Sequence, residues 1–183
     1  MFPDFDTSWR PCRAYAKSSP LAISLMKTSL YYSCIPSPIG SLTLVAADRR
    51  LAGLYMETHR QEREGYIRDD QRFLSIRKQL DAYFAGQLRH FDISLDLAGT
   101  PFQMQVWHAL RDIPFGETIS YGEQARRIGN PKSIRAVGLA NGRNPISIIV
   151  PCHRVIGKNG TLTGYGGGLD RKRFLLDLEA NPK

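Results

Sequence analysis

The sequence predicts a mixed α/β fold (α+β), with a sheet first and helices after it, and three features carry that expectation. Apolar residues alternate in strand fashion between Leu30 and Tyr55. The spacing becomes helical at Phe73, Ile76, Leu80, Tyr83 and Phe84. Thr100-Pro101 then opens a second, largely helical half. At 183 residues, the chain is long enough for one or two small domains with a buried core.

Taken in order, residues 1–27 read as a poorly ordered leader, with Pro3, Pro11 and Pro20, scattered charges and no sustained periodicity. Met26, just before the first strand pattern, is a candidate native start. Leu30 to Ile35, Leu42 to Ala46 and Leu51 to Tyr55 form an antiparallel meander, with turns at Pro36–Gly40 and Asp48–Arg50. A helix over Phe73–Phe84 ends near Gly86, and Phe91 to Leu97 alternates as an edge strand. Gly99-Thr100-Pro101 divides domains 28–98 and 99–183, with Thr100 as N-cap and Val106, Trp107 and Leu110 facing inward. Residues 120 to 142 fit a helix-turn-helix in which Ser120 caps the first helix, Gly129-Asn130 breaks it, and Asn130-Pro131 opens the second.

The short run Ile146–Val150 has the β-branched content of a buried strand, and Pro151-Cys152-His153-Arg154 follows it directly. A cysteine there lies at a packed rim with a histidine beside it, and the thiolate is the nucleophilic form. A Cys-His pair on its own more often marks a buried structural cysteine. Charge adds direction: the net is +8, and residues 101–183 hold twelve Lys and Arg against six Asp and Glu. Such asymmetry is the footprint of a phosphate-binding surface, although a weak sign taken alone. Cys12, Cys34 and Cys152 are an odd set with no paired spacing, which argues against a disulfide framework. No apolar run approaches a membrane span, and a cytoplasmic protein is expected.

Five ordered blocks surround the Cys-His pair: Pro101–Trp107, Ile113–Thr118, Ser120-Tyr121-Gly122 through Asn130-Pro131, Arg135–Gly138 to Asn144-Pro145, and Gly164–Leu169 with Leu175–Glu179. Together with Pro151–Ile156, this pattern resembles the O6-alkylguanine-DNA alkyltransferases, also called methylated-DNA–protein-cysteine methyltransferases. The resemblance covers residues from about 100 to 180 without a gap. It implies a ribonuclease H-like N-terminal sheet domain and a mostly helical catalytic domain with a helix-turn-helix.

It also implies the reaction, in which Cys152 takes the alkyl group from O6-alkylguanine in one irreversible turnover, with O4-alkylthymine an open second substrate. His153 would take the thiol proton through a water, and Glu179 would orient the imidazole. Tyr121 would rotate the target phosphate and donate a proton to the departing guanine. Arg135 would fill the space of the flipped base, and Asn144 would tie the helix-turn-helix to the Cys152 segment. The Val155 carbonyl, Tyr165 and the Gly166 amide would hold the base; many relatives have serine in place of Gly166, and the histidine common before the terminal glutamate is Leu178 here. The partner implied is alkylated double-stranded DNA, entered from the minor groove by a monomer with no obligate protein partner and no membrane. No cofactor is implied. Nor is a metal, because Cys12, Cys34, His59 and His90 do not align with the zinc ligands of some relatives. The rival readings are a cysteine hydrolase, which would turn over repeatedly, and a non-catalytic binder of alkylated DNA.

Overall fold

The computed structural model describes residues 29–57 and 65–182. The expected leader, the candidate start at Met26, Cys12 and His59 lie outside them. Strands β1 (Leu30–Ile35), β2 (Leu42–Ala47) and β3 (Arg50–Met56) make the antiparallel meander read from the alternation. A two-residue strand, β4 (Ile67–Arg68), pairs parallel to β1, so the order is β3-β2-β1-β4. Five of the six β2 positions are buried, as expected for a strand between two others, and α1 (Leu74–Phe84) follows the sheet in the chain. Leu80 and Tyr83 are the buried residues of α1.

Two expected strands are absent. Phe91–Leu97 meets β3 at one parallel bridge, Leu51 with Leu95, and is otherwise irregular. Ile146–Val150 meets β3 at another, Leu54 with Ile146, and then turns on itself, with Ile148 at a φ of 73°. The physical reason is shared space. Leu51 N and O bond to Ser94 O and Asp96 N, while Leu54 N and O bond to Pro145 O and Ser147 N. The outer edge of β3 is thus divided between two segments, and neither can run along it. The apolarity of Ile146, Ile148 and Val150 reflects full burial rather than strand pairing.

The second half is helical. Helix α2 (Pro101–Arg111) starts where the sequence indicated, closed by a capping box between Thr100 and Gln103, and buries Val106, Trp107 and Leu110. A two-stranded ribbon pairs β5 (Ile119–Ser120) with β6 (Val155–Ile156). The helix-turn-helix is α3 (Tyr121–Arg127) and α4 (Ile134–Gly142), with the Ser120 hydroxyl accepting from Glu123 N as expected. Helix α4 begins later than Asn130-Pro131. Asn130 N–H closes on Ala125 O beside Gly129 at a φ of 72°, so this residue finishes α3, and Ser133, three residues on, holds the position before α4. The last helix, α5 (Leu169–Ala180), lies against the turn that follows Pro151. Among the described residues no helix is long and apolar enough to cross a membrane.

Replacing Thr100 with Ala removes half of the capping box. The expected cost is about 1 kcal/mol of unfolding free energy, read as a lower urea midpoint. An unchanged midpoint would show that Pro101 alone sets the start of α2.

Candidate active site

Cys152 does not end a strand. It opens a single turn of 3₁₀ helix, Cys152–Arg154, directly after Pro151. Three consecutive residues of such a turn point in different directions, and each of these three does a different job. All three are buried.

The Cys152 sulfur receives a hydrogen bond from Asn144 Nδ2 at 3.3 Å, and the same amide nitrogen donates to Val150 O at 2.7 Å. Asn144 Oδ1 accepts from Ile146 N at 3.0 Å. Asn144 therefore links the end of the helix-turn-helix to the cysteine segment and touches the sulfur itself. Burial pushes the Cys152 thiol up, while the Asn144 hydrogen bond and the Lys172 charge pull it back.

His153 Nε2 lies 2.9 Å from Glu179 Oε1. Glu179 is ionised and can only accept, so Nε2 carries the proton and Nδ1 holds the lone pair. Nδ1 is buried with no hydrogen-bond partner among the described residues. Burial holds His153 below its ordinary value in spite of Glu179, which keeps the imidazole neutral and able to accept a proton. The third residue, Arg154, clasps both Glu179 oxygens, with Nε at 2.8 Å from Oε2 and Nη2 at 3.0 Å from Oε1, and donates to Ile113 O at 2.6 Å.

Glu179 also accepts from the Tyr83 hydroxyl at 2.7 Å and from Gly116 N at 3.2 Å. Gly116 has a φ of 79°, and a Cβ there would come to 3.0 Å from Glu179 O, so only glycine fits. Burial alone would raise the Glu179 carboxyl, but the His153 and Arg154 bonds more than offset it and hold it well below the carboxylate range.

Two of the residues expected to handle the base, Val155 and Tyr121, meet at a lysine that the sequence reading did not single out. Lys172 is fully buried, and its Nζ donates to Val155 O at 2.7 Å and Thr163 O at 2.8 Å. Burial lowers its pKa to about 8. The Val155 carbonyl, expected to face the base, therefore already accepts one hydrogen bond and has one lone pair left. Tyr121, the first residue of α3, donates to Thr163 O at 3.1 Å and lies over Lys172, whose Nζ is 5.8 Å from the ring centroid. Burial raises its pKa, so the phenol keeps its proton. Tyr165 packs against the core with a buried hydroxyl that has no partner among the described residues, while Gly166 beside it is exposed. Arg135 stands exposed on α4. Lys172, Leu175 and Glu179 share the buried face of α5, and that spacing was a readable signal. Tyr83 gave none, because a tyrosine on the inward stripe of α1 reads as core. No metal-ligating cluster of three or more His, Cys, Asp or Glu occurs among the described residues.

Comparison with known proteins gives one consistent result. Residues 30–97 match the family model of the 6-O-methylguanine DNA methyltransferase ribonuclease-like domain, and residues 101–181 that of its DNA binding domain. A methylated-DNA–protein-cysteine methyltransferase from Mycolicibacterium paratuberculosis is 57% identical over 150 residues, spanning 81% of this chain and 91% of that one. One from Methanosarcina acetivorans is 51% identical, spanning 83% of this chain and 99% of that one. The solved structure of Mycobacterium tuberculosis OGT in complex with DNA has a TM-score of 0.79 and 57% identity, covering 82% of this chain and 92% of that one.

The depressed Glu179 carboxyl sets a pH dependence. Below its ordinary value of 4.5 the unfolded chain takes up this proton first. The stability that Glu179 contributes is therefore complete above that pH and is lost as pH falls through the depressed folded value. Glu179→Gln leaves Arg154 buried without its counter-charge and should cost about 3–5 kcal/mol at neutral pH. The gap to the parent protein should narrow progressively below pH 4.5 in denaturant titrations. A gap that stayed constant with pH would mean the carboxylate is not ionised in the fold.

Proposed function

The chain belongs to the 6-O-methylguanine DNA methyltransferase family, and from that premise we propose that Cys152 is the residue that takes the alkyl group. The protein is an enzyme of DNA repair that moves an alkyl group from DNA to a cysteine, not a hydrolase or a non-catalytic binder. The observation that carries the assignment to Cys152 is the buried line from Asn144 Nδ2 to the sulfur, with His153 next in the chain and fixed by Glu179.

The chemistry follows from the tautomer. His153 Nδ1 takes the thiol proton through a water, and Glu179 stabilises the imidazolium without itself reacting. The thiolate attacks the alkyl carbon in line, an S–C bond forms, and the C–O6 bond breaks with its electron pair going to guanine. Tyr121, kept protonated by burial, supplies the proton that makes the departing base neutral. The product thioether has no hydrolytic exit, so one molecule repairs one lesion. Val155, Tyr165 and Gly166 hold the base; Lys172, held on Val155 O, keeps that carbonyl in place.

The alkylated guanine must leave the stack to reach a buried sulfur. We assign α4 to the minor groove. Its exposed face carries Ile134 at 47% and Leu139 at 60% accessibility, with Arg135 and Ala136 between them, an apolar wedge around one cation. Arg135 is the residue that occupies the vacated space. One copy carries every residue named, so a monomer suffices, and a division at Gly99 into parts 28–98 and 99–183 leaves all of them but Tyr83 in the second part. The need to keep Cys152 reduced fits the cytoplasm.

Cys152→Ser should abolish transfer and keep affinity for duplex DNA, because the hydroxyl is too weak a nucleophile while α4 is untouched. Intact-mass measurement after incubation with O6-methylguanine duplex should show one added methyl on the parent protein and none on the variant. Stoichiometric methylation of the variant elsewhere would move the nucleophile to another residue.

Arg135→Ala should slow repair of duplex roughly tenfold to a hundredfold, since about 1–3 kcal/mol of unstacking goes uncompensated. Reaction with free O6-benzylguanine should be nearly unchanged, and so should the salt slope of binding. Equal slowing on both substrates would instead make Arg135 a support of the active-site fold.

A further inference from the structure

Tyr83 is fully buried on α1, in the part of the chain that carries the sheet, yet its hydroxyl reaches Glu179 Oε1 at 2.7 Å. Its ring is wedged between Phe84, Phe91 and Phe115, with centroids 5.5, 5.3 and 6.1 Å away. A buried tyrosine needs some partner for its hydroxyl, and many acceptors would serve. The one taken is the oxygen that also faces His153 Nε2. We propose that Tyr83 is a positioning residue for alkyl transfer, fixing Glu179 Oε1 and so setting both the orientation and the basicity of His153. This rests on the reading of Cys152, His153 and Glu179 as nucleophile, base and orienter.

A hydrogen bond from the phenol draws negative charge away from Oε1. Without it, that charge falls on the Nε2–H of His153 and favours the imidazolium, so the imidazole keeps its proton to higher pH and less of it is free to act as base on the acid limb, while the carboxylate that orients it loses one of its fixed partners. The ionisable groups around the imidazole are Glu179 and Lys172 from α5, Arg154 and Cys152 from its own turn, Tyr83 from α1, and Tyr165 from the loop before α5. Lys172, at about 8, titrates on the alkaline side. The acid limb of the rate profile therefore reports His153.

Tyr83→Phe keeps the ring and removes the hydroxyl. Single-turnover transfer should be measured in the full chain from O6-methylguanine duplex and from free O6-benzylguanine, across about pH 5 to 8. The expected result is slowing on the order of tenfold on both substrates, with the acid limb displaced to higher pH. An unchanged rate overturns the proposal, as does a loss confined to duplex, or a uniform loss with no displacement of the limb. Should the Phe variant fold poorly, 3-fluorotyrosine at position 83 keeps the ring and strengthens the donor, and it must move the acid limb to lower pH; movement the other way, or none, refutes the idea. Glu179→Gln, measured alongside, separates the two readings. If it leaves the rate and the profile of transfer unchanged, the relay itself is wrong; if it alters them while Tyr83→Phe does not, only the role of Tyr83 fails.

Discussion

A single carboxylate holds the structure together. Glu179 accepts five hydrogen bonds, from Tyr83, Gly116, His153 and twice from Arg154, and these donors come from α1, the loop after α2 and the 3₁₀ turn. An isolated charge at such depth would cost far more than any one contact returns. Even well paired, a buried ion pair adds little net stability compared with apolar packing. Its value is geometric. With every lone pair of Glu179 engaged, the imidazole has one orientation and one tautomer, and the three segments can meet in only one arrangement.

The same burial works in opposite directions on the two groups proposed to react. It raises the Cys152 thiol, which protects the sulfur from casual oxidation, and it lowers His153, which leaves a neutral imidazole ready to accept the proton. Asn144 and Lys172 restrain the first effect and Glu179 restrains the second. A thiol kept mostly protonated until a base sits over it suits a protein that can react only once. The proposed mechanism therefore needs no permanent thiolate, only a proton path that is already aligned.

Much of this was legible in the sequence, and what was not has physical reasons. The meander, the α2 cap and the inward faces of both helices follow from spacing and local chemistry, which act within a few residues. Cys152, His153, Glu179, Tyr121 and Asn144 could be named from their motifs, and the structure brings all five to one place. Ile146–Val150 misled because a buried turn and a buried strand share the same apolar composition; only the competition for the β3 edge separates them. Asn130-Pro131 read as the start of the second helix, but Asn130 closes α3 and α4 begins only after Ser133. Tyr83 meets Glu179 from 96 positions away, and no local pattern encodes such a meeting. Lys172 did stand at helical spacing with Leu175 and Glu179, but a lysine on a helix reads first as a solvated charge.

The coupling between DNA recognition and chemistry is built into a short stretch of chain. Asn141, in the last turn of α4, exchanges hydrogen bonds with the buried side chain of Gln124 on α3, and Gln124 donates to Val106 O on α2. Three residues later Asn144 donates to Val150 O and to the Cys152 sulfur. Trp107 Nε1 holds Ala140 O at 2.9 Å from the other side. The helix assigned to the groove is therefore pinned at its C-terminal end to the frame that carries the nucleophile. On the proposed placement of α4, a shift of this helix in the groove would also move the sulfur. On that proposal the protein would set the spacing between groove and thiol, and the nucleotide would make the journey. Such an arrangement would suit any flanking sequence, since what it would measure is the reach of an extruded base rather than the identity of its neighbours.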